Sequence, residues 1–413
     1  MADPIEPHIA APRRWLSIVG IGEDGVDGLS PAARGLVSAA DIVFGGERHL
    51  ALAAPLIHGT ARAWPSPFEQ GIEEVLSHRG GNVCVLASGD PFHFGVGSVL
   101  ARHVDRDETL VVPAPSAFSL AAARLGWSLQ ETALISLHGR SLDFVRPFLQ
   151  QGARVLALTS DADGPAALAD LLYDSGFGAS IFHVLEALGG PRERVRTTLA
   201  GNFQLTDIHP LNLVGIDVIE LTDPRVITRA AGLPDALFEH DSQITKREIR
   251  AITLSSLCPR RGELLWDVGA GAGSVAIEWM LADPSLRAIA VEAHPQRAAR
   301  IRRNAAALGV PNLQVVEGTA PDALRGLATP DAIFIGGGVS YPGVIDAAVS
   351  ALDYLGRLVV NAVTLESEAL LMARHASLGG ELIRVALTRT TAVGNKTGWR
   401  PAMPVTQWIW TKS

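Results

Sequence analysis

Residues 264–280, LLWDVGAGAGSVAIEWM, leave few folds open. The apolar run Leu264, Leu265, Trp266 and Val268 reads as a buried strand. It stops at Gly269-Ala270-Gly271-Ala272-Gly273, and an amphipathic stretch begins at Ser274. Strand, glycine turn and helix form the opening βα unit of a Rossmann-like sheet. Glycines let the backbone approach a ligand, and the helix start offers free N–H groups. The dinucleotide fingerprint GxGxxG is not met. The pattern is GxGxG, with Ser274 where the last glycine would fall, which disfavours a dehydrogenase. Asp267 stands just ahead of the first glycine.

At 413 residues the chain has room for two domains. With 47% hydrophobic and 19% charged residues it can bury substantial cores, and a formal charge of -8 argues against a nucleic-acid partner. A small-molecule substrate is expected instead. No apolar run approaches the roughly 18 residues of a membrane span, so no membrane partner is expected. Cys84 and Cys258 lie in no CxxC or Cys/His cluster. They read as buried thiols of a cytoplasmic protein with no metal site. Residues 1–14 read as a flexible arm.

In the first half, residues 15–21 (WLSIVGI) form a strand that leads into a glycine-rich loop. Ser30 then caps a helix with Pro31 at its first position. Residues 41–46 give a second strand and turn, and 81–88 a third strand ending in Gly89-Asp90-Pro91. Asp90 either faces a ligand at the sheet rim or caps a helix starting near Pro91. A fourth strand runs into Pro115-Ser116-Ala117 and an alanine-rich helix, small residues that admit a flat ligand. The last strand of this half lies within 211–221. Residues 222–240 lose periodicity at Pro224, Gly232 and Pro234 and read as a linker or covering loop.

The second half is a different module, with no repeat of the first. Residues 241–257 read as a helix, with a capping box from Thr245 to Glu248. The strand at 286–292 ends on Glu292, roughly 20 residues past the glycine turn. There an acid binds ribose hydroxyls, a reading preferred to a plain exposed Glu because strand, glycines and acid agree. The arginines of the helix at 293–308 read as a solvated face. A third strand leads to Gly318-Thr319-Ala320 and a fourth to Gly336-Gly337-Gly338. A fifth follows at 355–362, and two last strands, at 382–388 and 406–410, should pair antiparallel. Residues 389–401 between them read as a loop. With Arg389, Lys396, Trp399 and Arg400 it either grips an anionic ligand or is an ordinary mobile surface loop.

The segments VGIGEDGVDGLS (19–30), LASGDPFHFGVG (86–97) and PAPSAFSLAAARLGW (113–127) resemble the tetrapyrrole methylase family, the class III methyltransferases. Residues 136–140 and 185–194 look like the branch that acts at C5 of the corrin precursor. The glycine stretch with Asp267 resembles motif I of the class I methyltransferases. QITKREIRA (243–251) and IFIGGG (333–338) make that half similar to the component of cobalamin synthesis that methylates C15 and decarboxylates the C12 side chain. The resemblance implies an α/β architecture, a class III domain at 15–221 and a Rossmann-like class I domain at 241–413.

It also implies one S-adenosylmethionine (SAM) per domain. Asp90, Ser116 and Ala117 would serve the first site; Thr245, Asp267, Gly269, Gly271, Gly273, Glu292, Thr319 and Ala320 would serve the second. Asp267 would orient the glycine turn or meet the amino-acid part of SAM, and Thr319 and Ala320 would lie at the adenine. Lys246, Arg247 and Arg389 are candidates to hold substrate carboxylates, and no general acid is singled out. The implied activity is that of the bifunctional precorrin methyltransferases, which methylate C5 and C15 of a precorrin-6 macrocycle and remove CO2 to give precorrin-8. A homo-oligomer is expected. The alternatives are a methyltransferase pair acting on another small molecule or on RNA, and a non-enzymatic SAM-binding protein. Intact glycine motifs weigh against the last.

Overall fold

The computed structural model describes residues 14–221 and 223–413. The arm expected over 1–14 therefore lies, apart from Arg14, outside the described residues. Two compact units are present. One comprises residues up to 140 and 151–224, and the other 141–150 and 225–413. The ten-residue piece 141–150 thus leaves the expected first domain. It packs in the second unit, where a Cβ on Gly309 would meet the ring of Pro147 at 2.4 Å.

The first unit holds two five-stranded sheets. Strands β1 (Leu16–Ile21), β2 (Ile42–Gly45), β3 (Thr60–Ala63), β4 (Val83–Ser88) and β5 (Thr109–Val112) form a parallel sheet in the order β3-β2-β4-β1-β5. Both faces of β1, β2 and β4 are covered, so these strands read as nearly continuous apolar runs. Ile18, Phe44 and Val85 join one core, while Val19, Val43 and Leu86 join the other. Ser30 caps the helix Pro31–Ala39 as expected, its Oγ accepting from Ala33 N at 3.2 Å. The second sheet is β6 (Thr132–Ser136), β7 (Arg154–Leu158), β8 (Ile181–Glu186), β9 (Arg194–Leu199) and β10 (Asn212–Asp217), in the order β6-β7-β10-β8-β9. Only β6 and β7 pair in parallel there.

The second unit is built on a seven-stranded sheet. Strands β11 (Leu264–Val268), β12 (Arg287–Glu292), β13 (Gln314–Glu317), β14 (Ala332–Ile335), β15 (Arg357–Ala362) and β16 (Glu381–Val385) come first. Strands β17 (Thr388–Val393), β18 (Lys396–Pro401) and β19 (Val405–Thr411) complete the chain. The sheet order is β13-β12-β11-β14-β15-β19-β16, parallel except for β19, which pairs antiparallel with both neighbours. The order reverses beside β11, which places a ligand crevice at that strand's C-terminal end.

Four expectations need correction. The stretch 389–401, read as a loop, is a β-hairpin of β17 and β18. For 222–240 the linker alternative falls and the covering loop stands, since Ile227, Leu233 and Phe238 are buried in the second unit's core. The capping box does not form. The helix begins at Arg247 with Lys246 at its N-cap and no side-chain cap, the Thr245 carbonyl accepts from Arg250 Nη1 at 2.5 Å, and Glu248 pairs with Arg389. Cys84 is buried as expected, but Cys258 is exposed.

Candidate functional site

The glycine stretch builds the larger cavity, about 650 Å³, at the C-terminal rim of the seven-stranded sheet. Gly269 has φ +70°, and a Cβ there would lie 2.7 Å from the Gly337 carbonyl oxygen. Only glycine gives both that backbone and that close approach of the two loops. Gly271 has φ +60°, and a Cβ on it would fall 3.0 Å from the Gln243 carbonyl oxygen. The loop is held from below by Glu292. Its Oε2 accepts from Gly271 N at 2.8 Å, and its Oε1 accepts from His294 N at 3.0 Å. One acid at the end of β12 therefore fixes the glycine turn and still lines the cavity.

Asp267 acts one layer deeper. Strand alternation turns it to the face that packs the helix Ser274–Ala282, where Oδ2 accepts from Ala276 N at 3.0 Å. Its other oxygen, Oδ1, is buried without a partner among the described residues. Burial, with Glu292 nearby, pushes its carboxyl up to about 7. The geometry fits the first of its two expected roles, orienting the turn and the helix start.

The cavity brings together Thr245, Lys246, Gly269, Gly271, Glu292, Thr319, Ala320 and Arg389. Gly336, Gly337 and Gly338 form part of its wall. Three expected site residues are not on that wall. Arg247 is exposed on the helix Arg247–Leu257. Asp267 lies beneath the turn. Gly273 faces the Ile301 side chain, where a Cβ would fall at 2.7 Å. Arg389 lines the cavity, but it is already paired with Glu248.

Sequence reasoning missed Asn361, Tyr341, His294 and Arg297, all on the wall. Asn361 is aimed by a polar network. Its Nδ2 donates to Thr253 Oγ1 at 3.0 Å, and its Oδ1 accepts from Gln407 Nε2 at 2.8 Å. Arg297, read as part of a solvated face, instead pairs with Asp241 at 2.9 Å. The buried Arg250 also went unnoticed. It binds Glu278 at 2.5 Å and Asp235 at 3.1 Å, and Glu278 accepts from the N–H groups of Gly232 and Leu233. That network ties the former linker to the helix beneath the glycine turn.

The first unit has its own cavity, about 400 Å³, at the C-terminal rim of its parallel sheet. Ser116 and Ala117 line it, and Ser116 caps the helix Ala117–Leu125 by accepting from Ser119 N at 3.1 Å. Asp90 does not line it. Gly89 does, while the Asp90 carboxylate accepts from Phe92 N at 2.9 Å and closes a turn. No helix begins at Pro91, so the helix-cap alternative falls. Glu23, Arg48, His49 and Ser88, none of them expected, line the same wall. A hint was present in Gly45-Gly46-Glu47-Arg48-His49, a charged run directly after a glycine pair at a strand end.

Among the described residues, no group of three or more His, Cys, Asp or Glu side chains could hold a metal ion, and no helix is long and apolar enough to cross a membrane. The tetrapyrrole (corrin/porphyrin) methylase family matches residues 16–204, and the precorrin methyltransferase domain matches 236–412. A precorrin-6Y C(5,15)-methyltransferase [decarboxylating] of a Sinorhizobium species is 59% identical over 98% of both chains. The protein of the same name from Mycobacterium tuberculosis is 42% identical over 96% of this chain and 99% of its own. The solved C-terminal domain of precorrin-6Y C5,15-methyltransferase from Rhodobacter capsulatus is 44% identical. It covers 45% of this chain and 100% of its own, with a TM-score of 0.43.

Proposed function

The chain belongs to the precorrin-6Y C5,15-methyltransferase (decarboxylating) family, and on that premise we propose that each unit carries one methyl-donor site. The first unit methylates C5 of the precorrin macrocycle. The second methylates C15 and removes CO2 from the C12 acetate, giving precorrin-8. The observation that carries this reading is the pair of cavities, one per unit, each at the C-terminal rim of a parallel sheet.

SAM supplies an electrophilic sulfonium methyl when bound. In the second unit the cradle suits it, because side chains at Gly269 or Gly271 would fill the space where the two loops and Gln243 approach. Glu292 would take the ribose hydroxyls, and Thr319 with Ala320 the adenine. In the first unit Ser116 and Ala117 would lie against it, with Asp90 acting through the turn it closes. The nucleophile of each methylation is an electron-rich ring carbon, so no protein nucleophile is needed. The protein aligns the reacting carbons and excludes water. In the decarboxylation the electron pair of the breaking C–C bond enters the conjugated ring, CO2 leaves, and the side-chain carbon takes up a proton. Lys246, and Arg389 when released by Glu248, would hold substrate carboxylates at the second cavity.

A cytoplasmic homo-oligomer completes the proposal. Tyr354, Leu365 and Trp399 are each more than two-thirds exposed, apolar surface that self-association would cover; light scattering in solution tests it. Calorimetric titration of the intact chain with SAM tests the central reading. Two equivalents bound support it, and one equivalent counts against it.

A further inference from the structure

The first unit's cavity carries a charge cluster to which the proposed function gives no role. Glu23 follows β1, Arg48 and His49 follow β2, and Ser88 ends β4, so three strand ends converge on one wall. The Glu23 side chain is only 7% exposed. Its Oε1 accepts from Arg48 Nη1, and Arg192 Nη2 lies 3.8 Å from its Oε2. Arg48 Nη2 also donates to Ser88 Oγ at 2.9 Å and meets His49 Nε2 at 2.8 Å. A guanidinium can only donate, so His49 accepts there and is neutral. Burial and Arg48 together lower the His49 imidazole to about 4.

The guanidinium is thus aimed by three partners, and two of its five N–H groups have none among the described residues. Arg192, two-thirds exposed, has no partner but Glu23 among them. Its turn is pressed onto the Glu23 loop, since a Cβ on Gly190 would fall 2.6 Å from Glu23 Cβ. One buried carboxylate shared by two arginines leaves one net positive charge beside a neutral histidine. The complement is an anion, and the macrocycle carries at least one carboxylate before its C12 acetate is decarboxylated.

We propose that Arg48 and Arg192, bridged by Glu23, clamp one side-chain carboxylate of the tetrapyrrole in the first unit. The clamp rests on the reading of this unit as the C5 methylase. Arg48→Met and Arg192→Met should each raise KM for C5 methylation on the order of tenfold to a hundredfold, the loss of a charge-assisted hydrogen bond. kcat and the calorimetric SAM affinity should stay within about twofold. Arg48→Lys, which keeps the charge but not the fork, should recover part of the loss. Arg192→Met, at an exposed side chain, keeps the test open should Arg48→Met fail to fold. Unchanged KM in the folded variants overturns the clamp, as does a fall in kcat alone. Gly89→Ala separates the two readings. If it still methylates C5, the unit assignment fails; if it loses C5 methylation while the arginine variants keep wild-type KM, the clamp alone fails.

Discussion

Glu292→Ala probes the second donor site most sharply. The carboxylate is 4% exposed and accepts from two backbone N–H groups, those of Gly271 and His294. Truncation leaves both N–H groups on the cavity wall without an acceptor and frees the glycine turn. A hydrogen bond to a charged group contributes about 1.5–3 kcal/mol. Losing the ribose contact should therefore weaken SAM at this site by roughly 1–3 kcal/mol, about fivefold to 150-fold in Kd. Calorimetry on the full chain supplies its own control, because the first unit's site should keep its affinity. Unchanged affinity at both sites would refute the ribose assignment. Equal weakening at both would show a global effect rather than a local one.

Other perturbations follow the same geometry. Gly269→Ala puts a Cβ 2.7 Å from the Gly337 oxygen at φ +70°. It should destabilise the second unit by about 1–2 kcal/mol, read by chemical denaturation, and abolish donor binding there. Arg250→Met leaves Glu278 buried without its cation and should cost about 3–5 kcal/mol, read the same way. Asp267, raised to about 7, binds its proton more tightly in the folded protein than in the unfolded chain. Its stabilisation is full below about pH 4 and is lost as pH rises through about 7. Asp267→Asn should shrink the stability difference between those limits by up to roughly 4 kcal/mol, read from denaturation curves across pH. An unchanged pH dependence would remove Asp267 as its source.

The parts legible in the sequence are those fixed by short-range pattern. Residues 264–292 give strand, glycine turn, helix, strand and acid in a row, and the fold keeps that order. The antiparallel pairing of the last two strands, a long-range feature, was expected from the fold that this order of elements implies. The capping box failed because the helix starts one residue late, with Lys246 at the N-cap, so Thr245 lies outside it and Glu248 turns to Arg389. The hairpin of β17 and β18 was hidden because most of its residues are exposed and show no buried face. The apparent linker carried isolated apolar residues, Ile227, Leu233 and Phe238, that lie too far apart to mark an element yet fill a core. The cluster of Glu23, Arg48, His49 and Ser88 comes from three strand ends up to 65 positions apart, so only the fold assembles it.

The claim that the two units carry separate methyl transfers is tested most directly by product analysis with isotopically labelled SAM. Gly89→Ala displaces the first cavity's wall, where a Cβ would meet the Pro115 oxygen at 2.7 Å, and Gly271→Ala crowds the second against the Gln243 oxygen at 3.0 Å. The account predicts different products from the two folded variants. At least one should carry label at a single ring position, with CO2 release following the label at C15. Identical labelling of C5 and C15 by both variants would contradict it.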